Sequence, residues 1–418
     1  MESRKAHMMD GYSERQLRKL VYVGITGARH RLFTPHVAEA EIIGDFAVPF
    51  RDVPLERPKK LSSRFSFDLI CQNPVLESGK TQERGSFAMQ TVIQGYLDKV
   101  KIGRKQSHRN LAVFPLLSGY TTVLDYMTLD EALAGGVIEV TEVSQGGTVP
   151  ELKLVNKSPT MVLILDGEEL VGAKQNRIVN MTILIQAKST TVIPVGCVEQ
   201  GRWHYRSPRF SSEERIMSPA LRAMKAEHVS RSVRDSGTFR SDQGRIWDEL
   251  SLKADRLAAE SPTMAMADLY QKERSSLSDY VKHFRPVEVQ VGAVFLINGK
   301  VVGLDSFGRP ETLAKVFRKL VESYALDAVE WSEPGSDERP SGAEVRRFLE
   351  AARAASVESH SSVGLGTDCR MESGRLAGFA LVHEEQLLHL SVFARGNGSS
   401  RERHGSRMQR FSRRRQTH

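Results

Sequence analysis

A stretch near the middle of the chain, residues 161–206, constrains the fold most, because short apolar runs alternate there with dense polar segments. The apolar runs cover residues 161–165, 178–185 and 190–198, which are strand lengths rather than helix lengths. Many short strands separated by Gly and Pro turns favour a sandwich or barrel. We therefore expect a β-rich unit around this stretch.

Side chains should alternate between the two faces of residues 174–186 if that segment is one strand. Val179, Met181, Ile183 and Ile185 would then face the core. Polar residues, namely Lys174, Asn176, Asn180 and Thr182, would share the other face. The segment thus predicts a polar surface that continues the neighbouring loops.

The length of 418 residues exceeds that of one ordinary core and indicates two structural units with extensions. Residues 1–88 lack a sustained helical or strand period, so we expect either an appended module or an upstream extension of the gene, with translation starting at Met89. A family domain is expected over residues 89–394, divided into a β-rich unit (89–207) and a helical and α/β unit (208–394). Residues 395–418 are expected to form a disordered, Arg-rich tail.

The net charge of +8 is concentrated at the ends of the chain. Residues 395–418 contain eight Arg and one Glu, whereas residues 89–394 are mildly acidic. Nucleic-acid binding is therefore not expected except through the tail. No apolar run reaches the roughly 20 residues of a membrane helix, and the N-terminus does not resemble a signal peptide. We expect a cytoplasmic protein that does not enter membranes.

Three cysteines, Cys71, Cys197 and Cys369, are too few and too widely spaced for a disulfide framework, which fits a reducing compartment. Cys197 alternates with Ile193 and Val195, so we expect a buried structural thiol there.

Local signals also predict individual helices and turns. Thr128 and Glu131 spell a capping box before a short helix, and Asn298-Gly299 is a strong hairpin turn between strands 287–297 and 300–305. Ser261-Pro262 predicts another helix start. Helices are also expected over residues 89–103, 218–231, 244–257, 277–284, 310–326 and 344–355. The fold class is therefore α+β, with a β-rich first unit followed by helices and an α/β second unit with hairpins.

Residues 291–307 align with residues 377–393 without a gap, and their apolar positions coincide. The match indicates either an internal duplication or two unrelated hairpins that bury the same kind of face.

Five blocks in order, at residues 166–180, 193–207, 239–249, 291–305 and 309–328, resemble one family. It is the ARG and Rhodanese-Phosphatase-superfamily-associated protein domain family, where ARG stands for ADP-ribosylglycohydrolase. The resemblance covers about residues 89–394. It implies an NAD-linked association, through neighbouring genes, with enzymes of ADP-ribose or phosphorylated metabolites, and it implies no mechanism.

Candidate catalytic groups are Glu168, Glu169 and His204. The two glutamates are adjacent and should face opposite ways in a strand, so only one could enter a given pocket. A second carboxylate for acid–base chemistry could come from Glu199 or Asp242. Alternatively, the glutamates pair with Lys174 and Arg177 as structural ion pairs.

Candidate ligand-binding residues combine cations, amides and an aromatic ring, a mixture suited to phosphate, sugar hydroxyls and a stacked base. They are Lys174, Gln175, Asn176, Arg177, Glu199, Arg202, Trp203, Arg240, Asp242 and Gln243. Asp242 is also a candidate helix cap. The structural alternatives are a solvated loop for residues 174–177 and a cover over the end of the sheet for Trp203.

The histidines are scattered and form no metal-binding motif, and no phosphate-loop or dinucleotide motif occurs, so no metal or cofactor is expected. The sequence leaves two functions open. One is an enzyme or ligand-handling protein that acts on a phosphorylated or ADP-ribose-like metabolite. The other is a non-catalytic ligand-binding or scaffold module.

Overall fold

The computed structural model describes residues 74–144, 150–332 and 340–395. Expectations for residues 1–73, for the turn 145–149, for the linker 333–339 and for the tail beyond residue 395 lie outside the described residues. Within the described part, the helices are α1 (Pro74–Leu97), α2 (Leu129–Ala134), α3 (Pro219–Ser236), α4 (Gln243–Arg256), α5 (Met266–Lys272), α6 (Arg274–Lys282), α7 (Pro310–Glu330) and α8 (Gly342–Arg353).

The strands in the first half of this region are β1 (Lys101–Ile102), β2 (Gln106–His108), β3 (Leu111–Leu117), β4 (Tyr126–Thr128), β5 (Ile138–Glu142), β6 (Glu151–Asn156), β7 (Met161–Ile164), β8 (Glu168–Gly172), β9 (Arg177–Val179), β10 (Ile183–Ile185), β11 (Ser189–Cys197) and β12 (Phe210–Ile216). Those in the second half are β13 (Gln290–Ile297), β14 (Lys300–Phe307), β15 (Ser356–Ser361), β16 (Thr367–Ser373), β17 (Leu376–His383) and β18 (Gln386–Ala394). The α+β class, β-rich in its first part, is confirmed.

The largest sheet is antiparallel and has the strand order β1-β3-β13-β14-β18-β17-β16-β15, with β2 also paired to β3. Helices α1 and α8 pack on one face, and α3 and α7 pack on the other. Apolar side chains that alternate along the strands supply both cores: Val294 and Leu304 face α1 and α8, whereas Ala293 and Phe295 face α7. The sheet is therefore buried on both sides.

The two hairpins that align in sequence have the same register. Gly292 pairs with Ser306 in the first, and the equivalent Gly378 pairs with Val392 in the second. Each hairpin also contains one irregularity, which falls at the equivalent positions Val302 and Leu388. Unrelated hairpins share an apolar pattern readily but not the position of a bulge, because bulges are specific local features. The structure therefore favours a true duplication.

The duplication also includes the strands and helices next to the two hairpins. In the order of the sheet, β3 lies beside the first hairpin as β16 lies beside the second, and β1 and β15 are the outer strands. Helix α1 precedes β1 along the chain as α8 precedes β15, and both helices cover the same face. The sheet thus consists of two related halves, and residues 118–289 are inserted into the first half between β3 and β13.

The inserted segment contains a β-rich unit. A six-stranded sheet, β12-β8-β9-β11-β6-β5, and a three-stranded sheet, β10-β7-β4, enclose a core of aliphatic side chains. The capping box of α2 forms as predicted, with Thr128 accepting from the Glu131 backbone N–H and Glu131 accepting from that of Thr128. This unit places both polar segments of the candidate site.

Residues 178–185 do not form the single strand that their alternation predicts. The chain leaves the six-stranded sheet after Val179 and enters the three-stranded sheet at Ile183. Polar side chains between the strands bond to other elements: Asn180 donates to the Phe239 carbonyl (3.1 Å), and Thr182 accepts from the Asp166 N–H (3.1 Å). Tertiary hydrogen bonds at these two residues therefore interrupt the strand.

Two helix predictions also need correction. Helix α1 ends at Leu97, since residues 101–102 form an edge strand, and it begins before residue 89, across the expected boundary. Ser261 does not cap a helix, because α5 begins only at Met266. Its hydroxyl instead accepts from the Ala265 N–H (2.8 Å) and donates to Asp268 (2.5 Å). The other predicted helices form, with ends that differ by several residues in places.

Candidate ligand-binding site

The two polar segments of the sequence meet at one end of the six-stranded sheet. Strand β9 pairs with β11 so that Arg177 lies opposite Cys197, which brings the β8–β9 connection beside the chain that follows β11. Residues 173–177 and 198–206 therefore occupy the same region. The connection begins at Ala173, whose positive φ of 37° marks a tight turn out of β8.

A buried ion pair holds these two segments together. Arg202 donates to Glu199 (2.6 Å), to the Ala173 carbonyl (2.6 Å) and to the Asn176 side chain (3.1 Å). Glu199 also accepts from the Asn176 backbone N–H (3.0 Å). Burial alone would raise the pKa of Glu199, but Arg202 and that N–H lower it below its ordinary value. Glu199, Arg202 and Asn176 thus set the shape of the site.

Two cations and two aromatic rings lie over this frame. The Lys174 Nζ is 5.4 Å from the ring centroid of Trp203 and 5.2 Å from that of Tyr205, and the Arg177 guanidinium carbon is 5.6 Å from the Trp203 centroid. Both rings are about half exposed. These four residues, Lys174, Arg177, Trp203 and Tyr205, are called the cation–aromatic cluster below. Such contacts stabilise each cation and leave a ring face for stacking.

Arg177 is fully buried, yet its guanidinium is only partly bonded. One nitrogen donates to the Gln175 side chain (2.7 Å), and another lies 3.8 Å from a Glu142 oxygen, beyond hydrogen-bond range. Arg177 Nε and Nη2 and both Glu142 carboxylate oxygens are buried without a hydrogen-bond partner in the described part of the chain. Buried polar atoms are rarely left in this state, so these four point to a place for a polar ligand.

Sequence reasoning missed Glu142, although its signal was present. Strand β5 alternates with Ile138 and Val140 on the buried face, and Glu142 continues that alternation inward. A carboxylate on the core face of a strand needs a cationic partner, and Arg177 is the cation that faces it. The alternation alone could have identified this residue.

Cys197 borders the cluster as a structural thiol. It is fully buried on the same strand face as Ile193 and Val195, and its sulfur donates to the Glu199 carbonyl (3.3 Å). Burial raises the pKa of Cys197, and the opposing effects of the Glu199 backbone and Arg177 do not offset it. The thiol is therefore neutral at pH 7, which argues against a nucleophile.

The two candidate catalytic glutamates face opposite ways, as their adjacency predicts. Glu168 contacts Lys319 and accepts from the Leu165 N–H (2.7 Å), whereas Glu169 accepts from Arg215 (2.8 Å) and Asn176 (3.3 Å). Both are almost completely buried. This burial raises the pKa of each carboxyl, although the neighbouring cation lowers it. Their partners are not Lys174 and Arg177, the pairs considered from the sequence. Glu169 alone is linked to the site, through Asn176.

The remaining candidates lie around this centre. Gln243 donates to the Cys197 carbonyl (2.5 Å) and accepts from the Cys197 N–H (2.7 Å), which fixes α4 to β11. Asp242 caps α4 by accepting from the Arg245 N–H (3.2 Å) and is half exposed. Arg240 and His204 are exposed at the surface. The structure thus joins Gln243 to the frame of the site and places Asp242 at the helix start.

A second charged network, which the sequence did not indicate, lies between the insertion and the large sheet. Arg222 from α3 donates to both oxygens of Asp305 on β14 (2.8 and 3.0 Å), and its Nε is 3.5 Å from Asp166 after β7. Lys225, one turn along α3, also contacts Asp166, and burial lowers its pKa to about 8 against the effect of that carboxylate. All four side chains are at most 1% exposed.

His389 and Tyr324 complete this network around Asp305. His389 Nε2 is 3.4 Å from Asp305, its Nδ1 bonds to the Thr182 hydroxyl (2.7 Å), and Tyr324 donates to Asp305 (3.0 Å). Burial alone would raise the pKa of Asp305, but Arg222 and His389 bring it well below its ordinary range. Because the network is closed to solvent, we assign it to joining the two parts of the fold.

The model of one protein family matches residues 99–393, more than half of the chain. Its description is the ARG and Rhodanese-Phosphatase-superfamily-associated Protein domain. The chain belongs to this family. The resemblance seen in the five sequence blocks is thereby confirmed, and the match includes the insertion, the cation–aromatic cluster and both hairpins of the large sheet.

No curated protein and no solved structure matches the chain. Among the helices of the described residues, none has both the length and the apolar character needed to cross a bilayer.

Proposed function

We propose that this protein binds a phosphorylated, ADP-ribose-like metabolite at the cation–aromatic cluster. The observation that carries the proposal is the fully buried Arg177, whose Nε and Nη2 have no hydrogen-bond partner among the described residues, with Nη2 3.8 Å from a Glu142 oxygen. A buried guanidinium in this state is short of acceptors, and a phosphate oxygen is the acceptor that suits its planar fork best.

Each chemical part of such a ligand has a counterpart in the site. Lys174 and Arg177 would neutralise the phosphate charge. Glu142, with two buried oxygens that lack partners, would accept hydrogen bonds from ribose hydroxyls. Trp203 and Tyr205 are about half exposed and would stack on the base. Since Trp203 lies over Arg177, its ring would turn aside as the phosphate enters.

The family description fits this ligand class, because it names an association with ADP-ribosylglycohydrolase and with a phosphatase superfamily. An NAD-linked pathway in the cytoplasm belongs to the same proposal. The thiols of Cys197 and Cys369 are buried and unpaired, which is compatible with a reducing compartment.

Isothermal titration calorimetry with ADP-ribose, ADP, ribose 5-phosphate and inorganic phosphate tests the proposal. We expect Arg177→Gln to weaken ADP-ribose binding at least tenfold, since charge-assisted bonds of a buried site are lost. Trp203→Ala should weaken ADP-ribose and ADP but not phosphate, and Trp203→Phe should restore most of the loss. The matched control is Arg209→Gln, which removes an exposed arginine paired with Glu139.

Two results would overturn the binding proposal. One is that none of the four compounds binds the full-length protein. The other is that Arg177→Gln and Arg209→Gln bind ADP-ribose as tightly as the unaltered chain does.

Turnover is the second candidate function, and one observation favours it. Burial raises the pKa of Glu169, although Arg215 lowers it, and Asn176 connects this carboxyl to the frame of the site, which favours an acid–base role. Prolonged incubation with ADP-ribose, followed by chromatography, distinguishes the two cases. If the protein is an enzyme, a product appears, Glu169→Gln abolishes its formation, and the control Glu322→Gln preserves it. Glu322 is a half-buried carboxyl beside Arg318. A binding protein returns the ligand unchanged.

A further inference from the structure

A second group of side chains, two histidines and an aspartate, lies on elements that do not contribute to the cation–aromatic cluster. His108 is at the end of β2, Asp279 is on α6, and His283 caps the C-terminus of that helix. One ligand atom from each lies within 4.8 Å of the other two. The sequence predicts no metal site, because His108 is more than 170 positions from Asp279 and only the fold brings them together.

The donor set has the composition of a transition-metal site. His108 Nε2 is 2.9 Å from an Asp279 oxygen, so a cation could replace the proton these two atoms share. His283 Nδ1 is 2.8 Å from the Asp279 carbonyl oxygen, which only accepts, so the ring donates there. In a neutral ring this leaves Nε2 with its lone pair. Metal-bound histidines are commonly oriented by such a bond through the other nitrogen.

Two clamps fix the spacing between β2 and α6. Gln106 donates to the Arg285 carbonyl (2.8 Å) and accepts from the Arg285 N–H (2.9 Å). On the other side, Tyr280 donates to Asn110 (2.6 Å) in the turn after β2. The two elements that carry the donors are therefore held together by contacts outside the group itself, as expected of a site whose supporting residues are organised.

Solvent reaches two of these side chains, and a neighbouring arginine would compete with a metal ion for Asp279. Asp279 and His283 are open to solvent, so an ion has a route in. Arg109 contacts the same Asp279 oxygen (2.8 Å) and is more than half exposed, so it can swing away. The rings of His108 and His283 are stacked with centroids 3.6 Å apart. Coordination requires in-plane lone pairs, so the exposed His283 ring would have to turn out of the stack.

We propose that His108, Asp279 and His283 form a binding site for a divalent transition-metal ion, with Zn²⁺ as the best fit. Two imidazoles and one carboxylate are donors that zinc accepts at tetrahedral positions, whereas Ca²⁺ and Mg²⁺ need mostly oxygen ligands. The fourth position would be open to water or to a group from a ligand.

Calorimetric titration of ZnCl₂ into the full chain tests the site, with Co²⁺ absorption as a second measurement. His108→Ala and His283→Ala should each weaken one Zn²⁺ site at least tenfold and reduce the visible bands of bound Co²⁺. Arg109→Gln should strengthen the same site several-fold, because it removes the competing cation. A gain of affinity cannot come from misfolding. The matched control is His383→Ala, a half-buried histidine beside Glu384.

Unchanged Zn²⁺ affinity in both histidine variants would overturn the proposal, because the ion would then be held elsewhere, for example by the histidines of the tail. Absence of any Zn²⁺ binding by the unaltered chain would overturn it as well. So would an Arg109→Gln variant that binds Zn²⁺ more weakly than the unaltered chain, since the arginine would then support the site rather than compete with the ion.

Discussion

Arg222 contacts two carboxylates from distant parts of the chain, Asp166 after β7 and Asp305 on β14. Neither it nor these carboxylates reach solvent, so the two carboxylates balance its charge, and its guanidinium also donates to the Ser391 hydroxyl (3.1 Å). A buried ion pair adds little net stability over an apolar one, but removal of one partner leaves the other charge unsatisfied. This asymmetry makes the network sensitive to single substitutions.

Asp305→Ala should lower the free energy of unfolding by about 3–5 kcal/mol at pH 7, because Arg222 would lose its principal partner. Chemical denaturation followed by circular dichroism measures the change. Asp98→Ala, which breaks the exposed pair with Arg353, is the control and should change stability little. Equal effects of the two substitutions would contradict a special role for the buried pair.

The contribution of Asp305 to stability depends on pH in a definite direction. The pKa of Asp305 is lower in the fold than its ordinary value of 3.8, so its contribution is complete above that value and declines as the pH falls below it. Stability of the unaltered protein should therefore drop more steeply between about pH 4 and pH 2 than that of Asp305→Asn. Parallel stability curves over this range would contradict this prediction.

At the residue scale, the sequence could predict that Glu168 and Glu169 point in opposite directions but not which residues they contact. Alternation along a strand is a local property, whereas Lys319 and Arg215 come from other elements. The site frame was partly predictable for the same reason: residues 174–177 and 199–206 flank neighbouring strands. The network around Asp305 was not predictable, because no local pattern relates residues 166, 222, 305 and 389.

Two glycines occupy equivalent positions in the duplicated hairpins, Gly292 on β13 and Gly378 on β17. A Cβ atom at Gly292 would lie 2.6 Å from the Asp305 carbonyl oxygen, and one at Gly378 would lie 2.5 Å from the Ser391 carbonyl oxygen. These two oxygens are themselves equivalent in the alignment of the hairpins. Both hairpins therefore leave no room for a Cβ atom at this equivalent position.

Gly292→Ala and Gly378→Ala should each destabilise the fold by about 1–3 kcal/mol, since the backbone would have to shift to admit the methyl group. Thermal unfolding measures both effects. Gly374→Ala is the control, because nothing lies within 4 Å of the added atom. If only one of the paired glycines were sensitive, the hairpins would not be equivalent in packing.

The elements that the sequence predicts correctly are those whose signal lies within a few consecutive residues. The Asn298-Gly299 turn forms with positive φ at both residues, 50° and 75°, as that dipeptide predicts. The capping box of α2 is equally local. Residues 178–185 and the helix expected at Ser261 were predicted wrongly, because hydrogen bonds to distant residues or to another part of the loop determine the chain path there.

The described residues form one duplicated sheet that carries a long insertion. The insertion holds the cation–aromatic cluster, whereas the duplicated sheet holds Asp305 and His389. Helix α3 belongs to the insertion and packs on β17 and β18, so the two parts share a core as well as the Arg222 network. The alignment of the hairpins was visible in the sequence, but the insertion was not, because it interrupts the first copy.

Charge is a property of the whole chain, and most of the net +8 lies in residues 395–418. We expect weak, salt-sensitive binding to heparin or DNA that disappears when residues 396–418 are deleted, since arginines release counterions from a polyanion. Fluorescence anisotropy at several salt concentrations measures the binding, and an unchanged melting temperature serves as the control. Salt-sensitive affinity that survives the deletion would place the basic binding residues outside the tail.

Leu117 at the end of β3 and Gln290 at the start of β13 are direct partners in the large sheet. A chain that leaves one strand and re-enters its neighbour could be joined there by a tight turn of a few residues. An ancestral sheet could therefore have acquired residues 118–289 in a single event, with no strand displaced. The same two residues are natural boundaries at which that part could be exchanged between family members.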